Sequence, residues 1–148
     1  MKAIKALFLA GAVKLVSVLG ASSAKAGFGR QYYGGWHHSA RGYWYNTYFY
    51  KPFAGFPTYS YNYAIWYKAS PRFVYYFNPY KGTYWGRFDL QTKGYSLLAE
   101  ADRKEKLEDI KESAFPKPAV MPNVPDSADK VAMDVPPNDV PTGGPEKK

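Results

Sequence analysis

The chain has 148 residues, 28 of them aromatic, no cysteine, and a formal net charge of +8. Without cysteine there is no disulfide staple and no thiol for lipid attachment or nucleophilic catalysis, so stability has to come from packing. The length allows one modest domain and excludes two.

Residues 1–26 read as a secretory signal peptide. Lys2 and Lys5 form a basic start, apolar residues follow, and Ala24, Lys25 and Ala26 supply a small-x-small cleavage pattern. Lys14 interrupts the apolar stretch, which is then too short to span a bilayer. Cleavage before Gly27 is expected, giving an exported protein of the periplasm, cell surface or medium. Four of the twenty basic residues lie in this segment, so half of the net charge would leave with it.

From Gly27 to Phe88 the chain carries 25 of the 28 aromatics and seven basic residues, with no acid. So much apolar area argues for a folded segment. Residues 27–42, with five glycines and no alternation, read as an irregular lead-in. They hold both histidines, His37 and His38. Adjacent residues of an extended chain point to opposite sides, and no acid lies nearby in sequence, so no metal site is expected.

Residues 43–95 read as an aromatic-rich β region. "YWYNTYFYK" (43–51) has high strand propensity, and Pro52, Gly55 and Pro57 mark the loop that follows. In "TYSYNYAIWYK" (58–68), Tyr59, Tyr61, Tyr63, Ile65 and Tyr67 alternate with Ser60, Asn62 and Ala64, the pattern of a half-buried strand with one aromatic face. "FVYYFNPYKGTYWGRF" (73–88) predicts a hairpin: strand 73–77, loop 78–82 with Pro79 fixing φ and Gly82 free to take positive φ, and return strand 83–88. Symmetric pairing sets Tyr76 opposite Tyr84 and Tyr75 opposite Trp85. Tyr75, Trp85 and Arg87 then share a face and are the candidate binding residues.

All twelve acids lie from Asp89 onward, against nine basic residues. Residues 96–114 predict a charged helix. Asp102 and Glu105 resemble a capping box, Glu100 and Lys104 form an i, i+4 pair, Leu107, Ile110 and Ala114 make an apolar stripe, and Pro116 ends it. Residues 115–148, rich in proline and acids, predict a disordered tail. The expected fold class is therefore mainly β: a small antiparallel aromatic-rich sheet or hairpins, one short α-helix and a disordered Pro-rich tail.

"YYFNPYKGTYWGRFDL" followed by "GYSLLAEADRKEKLEDIKESAFPKP" resembles small exported bacterial proteins of unknown function in which an aromatic hairpin precedes a charged helix and a proline-rich tail. The likeness covers about residues 72–118 and implies no activity. No Ser, His and acid constellation with a local signature is present, so no enzyme and no cofactor are expected. Aromatics interleaved with Arg and Lys suit nucleic acid, but export and an acidic second half that can neutralise the basic first half both oppose that reading. The leading expectation is a non-enzymatic structural or protein-interaction role in the cell envelope. The partner is an unknown envelope protein or polysaccharide, and the alternative is a carbohydrate-binding module using Tyr and Trp platforms.

Overall fold

The structure is a computed structural model describing residues 29–141. The expected signal peptide and the last seven residues lie outside the described residues.

The chain forms one antiparallel sheet from β1 (Gln31–Tyr33), β2 (His37–His38), β3 (Trp44–Tyr50), β4 (Ser60–Trp66), β5 (Phe73–Asn78), β6 (Thr83–Asp89) and β7 (Gly94–Leu97). From β3 to β7 it is a meander, each strand pairing with the next. β1 and β2 both pair with the outer edge of β3, at its two ends. Short connections make the pairing local, which is what antiparallel hairpins require. No helix among the described residues is long and apolar enough to cross a membrane.

Two apolar clusters lie on opposite faces. One is built from Tyr48, Tyr50, Trp66, Val74, Tyr76, Trp85, Phe88 and Tyr95, and is closed by Val124 and Met133. The other joins Ile65, Tyr75 and Tyr84 to Leu98 and Ile110. β4 alternates as its sequence suggests, but its fully buried side is the one bearing the smaller residues Asn62 and Ala64 with Trp66, while Tyr61 and Tyr63 are half-exposed. Cross-strand pairing explains the inversion: Tyr48 sits opposite Asn62, and Ala64 lies between Asn46 and Tyr76. Small side chains on β4 make room for large rings on its neighbours, so volume rather than polarity sets the buried side.

The 73–88 hairpin forms as expected, with Gly82 at φ 70° and its N–H donating to the Asn78 carbonyl at 2.7 Å. Its register is not symmetric. Tyr76 pairs with Gly86 and Phe77 with Tyr84, so Trp85 is the extra residue of a β-bulge. The bulge exchanges the faces of Trp85 and Tyr84: Trp85 joins Tyr76, and Tyr84 joins Tyr75. Gly86 is needed beneath the ring of Tyr95, whose nearest atoms would lie 2.4 Å from any Cβ there.

The charged helix over 96–114 does not form. β7 takes its start, and the rest is extended chain with 3-10 turns at Glu100–Asp102, Leu107–Asp109 and Glu112–Ala114. The Lys104 carbonyl accepts from the Tyr84 N–H at 2.9 Å, a carbonyl that a continuous helix would have given to the amide of Glu108. Extended chain also advances about 3.3 Å per residue against 1.5 Å in a helix, which lets Leu98, Leu107, Ile110 and Phe115 cover more of the sheet. With so few apolar residues, the isolated helix was marginal and tertiary contacts override it.

The proline-rich segment is likewise not a free tail over 115–141. Ala119 bridges Tyr95 at the β7 edge, Asn123 pairs with Ala132, and the chain reaches the β1 edge, where Gln31 donates to the Ala132 carbonyl. It is a strap across the first cluster, with Val124 and Met133 buried. Proline narrows the unfolded ensemble, so ordering this strap costs less entropy than a tail of flexible residues would.

Candidate functional site

Two features of the sheet carry chemistry. The first is the β3–β4 side turned away from the strap. Tyr32 stacks on Phe49 at 4.8 Å between ring centroids, Phe49 meets Tyr61, Tyr61 meets Tyr63, Tyr63 meets Tyr45, and Tyr43 links Tyr45 to Tyr67. Antiparallel strands place these alternate side chains in rows, and each ring is half-exposed. Among the described residues, Lys51 lies beside this ladder, 4.6 Å from the Tyr59 ring centre. His37 packs beside Tyr45 here, while His38 lies against Trp44 on the opposite side.

The second is a cleft of about 630 Å³ on the strap side. Its floor is Trp85, Asn62 and Tyr50, with Tyr80 and Lys81 from the hairpin loop on one rim. Glu100 and Arg103 form another wall, and Asn123 and Asp126 of the strap a third. The Trp85 Nε1–H donates to Asn62 Oδ1 at 2.7 Å, and Asn62 Nδ2 donates to the Tyr50 hydroxyl at 3.1 Å. Burial, followed by the charge of Asp126, pushes the Tyr50 phenol up to about 12, so it stays protonated. Arg103 is aimed by two bonds from Nε and Nη2 to the Leu98 carbonyl.

The candidate residues Tyr75, Trp85 and Arg87 do not share a face, a correction that follows from the bulge. Tyr75 is buried among Tyr67, Phe73, Tyr84 and Phe115. The Arg87 guanidinium lies between the rings of Phe73 and Phe115, 3.7 and 4.0 Å from their centres, and grips Glu112 with bonds of 3.0 and 2.6 Å. Both are packing residues under the 98–115 cover. Trp85 alone reaches a cavity. The other cleft residues were not singled out from sequence, because they come from five separate segments. The nearest signal was Asn62, a lone amide in a strand otherwise aromatic, aliphatic or small.

Three ion pairs among the described residues join the two parts of the chain. Arg30 pairs with Asp129, Arg72 with Asp89 and Arg87 with Glu112, each an arginine of the acid-free part with a carboxylate from Asp89 onward. Hydrogen bonding to Arg72, aided by the amides of Gln91 and Thr92, pulls the Asp89 carboxyl down to about 2. Among the described residues no group of three or more His, Asp or Glu side chains is placed to hold a metal ion.

No family model, curated protein or solved structure matches this chain. Any functional reading rests on its own geometry.

Proposed function

We propose that the protein is an exported, non-enzymatic structural or contact protein of the cell envelope, engaging another protein through the tyrosine face of β3 and β4. The observation that carries this is the unbroken run of half-exposed rings from Tyr32 to Tyr67, laid on one side of the sheet. Tyrosine suits a protein contact because its ring buries apolar area while its hydroxyl keeps a hydrogen-bond partner, and it loses little side-chain entropy on binding. A signal peptide would deliver such a surface to the envelope, where partners are held at high local density.

The test is co-sedimentation of the purified exported form with an envelope fraction from the producing cell, before and after protease treatment of that fraction. Retention should disappear after proteolysis and with a Tyr45→Ser, Tyr63→Ser double variant that still melts cooperatively. Retention that survives both, or that is lost only on digestion of polysaccharide, would overturn the reading.

A further inference from the structure

We propose that the cleft floored by Trp85 binds a neutral saccharide. This does not rest on the protein-contact reading, since the cleft is lined from the strap side of the sheet, although Tyr80 on its rim touches Tyr61 of the tyrosine ladder.

The size is appropriate, because small-molecule sites span roughly 300–1,000 Å³, and this one holds about 630 Å³. The floor is preorganised. Asn62 is 1% exposed, and its amide is fixed at both ends by Trp85 and Tyr50. Trp85 is 8% exposed, its only polar atom bonded to Asn62 and its ring packed against Tyr76 and Tyr95, so it closes the floor as an apolar edge, and the ring on which the C–H face of a pyranose would pack is that of Tyr80.

The rim supplies the other half of sugar recognition. Tyr80, 60% exposed, stands at the mouth, steadied by an edge contact with Tyr61 at 5.4 Å. Lys81 and Arg103 contribute donors, while Glu100 and Asp126 contribute acceptors, so the four charges cancel. An anionic ligand would face two carboxylates and a purely apolar one would strand four charged groups. A ligand dense in hydroxyls satisfies donors and acceptors together, each hydroxyl serving as both. Neutral glycan chemistry could come from a free oligosaccharide or from the end of a wall polymer, and the experiment separates them.

The purified exported form is titrated with maltotriose, cellotriose and chitotriose, following tryptophan fluorescence and calorimetric heat. It is also sedimented with insoluble cellulose and chitin. Saturable binding of at least one trisaccharide is expected, with heparin-derived disaccharide binding no tighter. Tyr80→Ala and Asp126→Asn should each weaken it about tenfold or more, the equivalent of about 1.4 kcal/mol, with unchanged melting, whereas Tyr80→Phe should retain it. Asparagine suits position 126 because the native φ is +63°, a region it tolerates. Retention on a polymer together with binding of its trisaccharide points to a chain end, and trisaccharide binding alone to a free sugar. Absence of binding by all three trisaccharides at tens of millimolar, equal binding by the rim variants, or tighter binding of the heparin fragment would overturn the proposal.

Discussion

On one side of the sheet Tyr48, Tyr76 and Tyr95 are buried in the cluster that the strap of residues 118–141 closes, whereas on the other Tyr45, Tyr61 and Tyr63 stand half-exposed at the margin of the cluster that residues 98–115 cover. The sheet and the residue type are the same. What differs is the cover. The strap runs from the β7 edge to the β1 edge, while the 98–115 segment packs Leu98, Ile110 and Phe115 into a cluster with Ile65 of β4, Tyr75 of β5 and Tyr84 of β6. Tyrosine, apolar in its ring and polar at its tip, serves in either setting. Whether a given one is core or surface is therefore decided by chain that arrives later in sequence.

The sharpest way to break this comparison is to remove the strap. A chain ending at Pro118 loses Val124 and Met133 from the core, the Asp129 partner of Arg30 and the Asp134 carbonyl that accepts from the Tyr33 hydroxyl. It should lose cooperative thermal melting by circular dichroism and bind a hydrophobic dye. A sharp transition near that of the full chain would mean that the covered face does not depend on its cover.

A pair of point variants compares the faces with both covers in place. Trp66 is fully buried and its Nε1 donates to the Pro71 carbonyl at 3.0 Å, so Trp66→Ala should cost roughly 3–5 kcal/mol. Tyr63→Ser, on the open side of the same strand, should cost within about 1 kcal/mol. Chemical denaturation of the two proteins measures both. Equal losses would show that the open face is packed against something in solution.

The smallest expected effect concerns how each cover is pinned. Glu112 holds the 98–115 cover to Arg87, and Asp129 holds the strap to Arg30. Hydrogen bonding to these arginines keeps both carboxyls below their ordinary range. Their contribution is present above the unfolded-state values of about 4 and is lost as pH falls through the depressed native values. Both carboxylates are well exposed, so each pair should contribute at most about 1 kcal/mol. Hydrogen exchange between pH 5 and pH 3, corrected for intrinsic rates, should show amides of 98–115 and 119–133 losing protection before those of β4 and β5. Simultaneous loss throughout would make the covers and sheet one unit.

The hairpin at 73–88 was legible because its turn chemistry is local: Asn78 caps the loop through its side chain, Pro79 fixes a dihedral and Gly82 supplies the positive φ. The bulge at Trp85 was not, since nothing within the hairpin favours it. It is set by Asn62 on β4, which takes the Trp85 N–H, and by Tyr95 on β7, whose ring needs the space over Gly86. Moving one residue across the sheet was enough to separate Trp85 from Tyr75 and Arg87, and so to dissolve the candidate site as first drawn.

By itself, then, the sequence determined the local matters: an antiparallel β chain, its hairpin turns, the period of β4 and the division into a basic aromatic part and an acidic remainder. Those follow from φ preferences, side-chain period and charge, each a property of a few neighbouring residues. Tertiary structure decided which side of β4 is core, that residues 98–115 extend instead of coiling, that the proline-rich strap docks, and that five segments meet at the cleft. Each of these depends on the volume and hydrogen-bonding groups of residues far away in the chain. A one-residue bulge or an unclaimed carbonyl shifts that balance by about as much as a helix propensity or a strand pattern can supply.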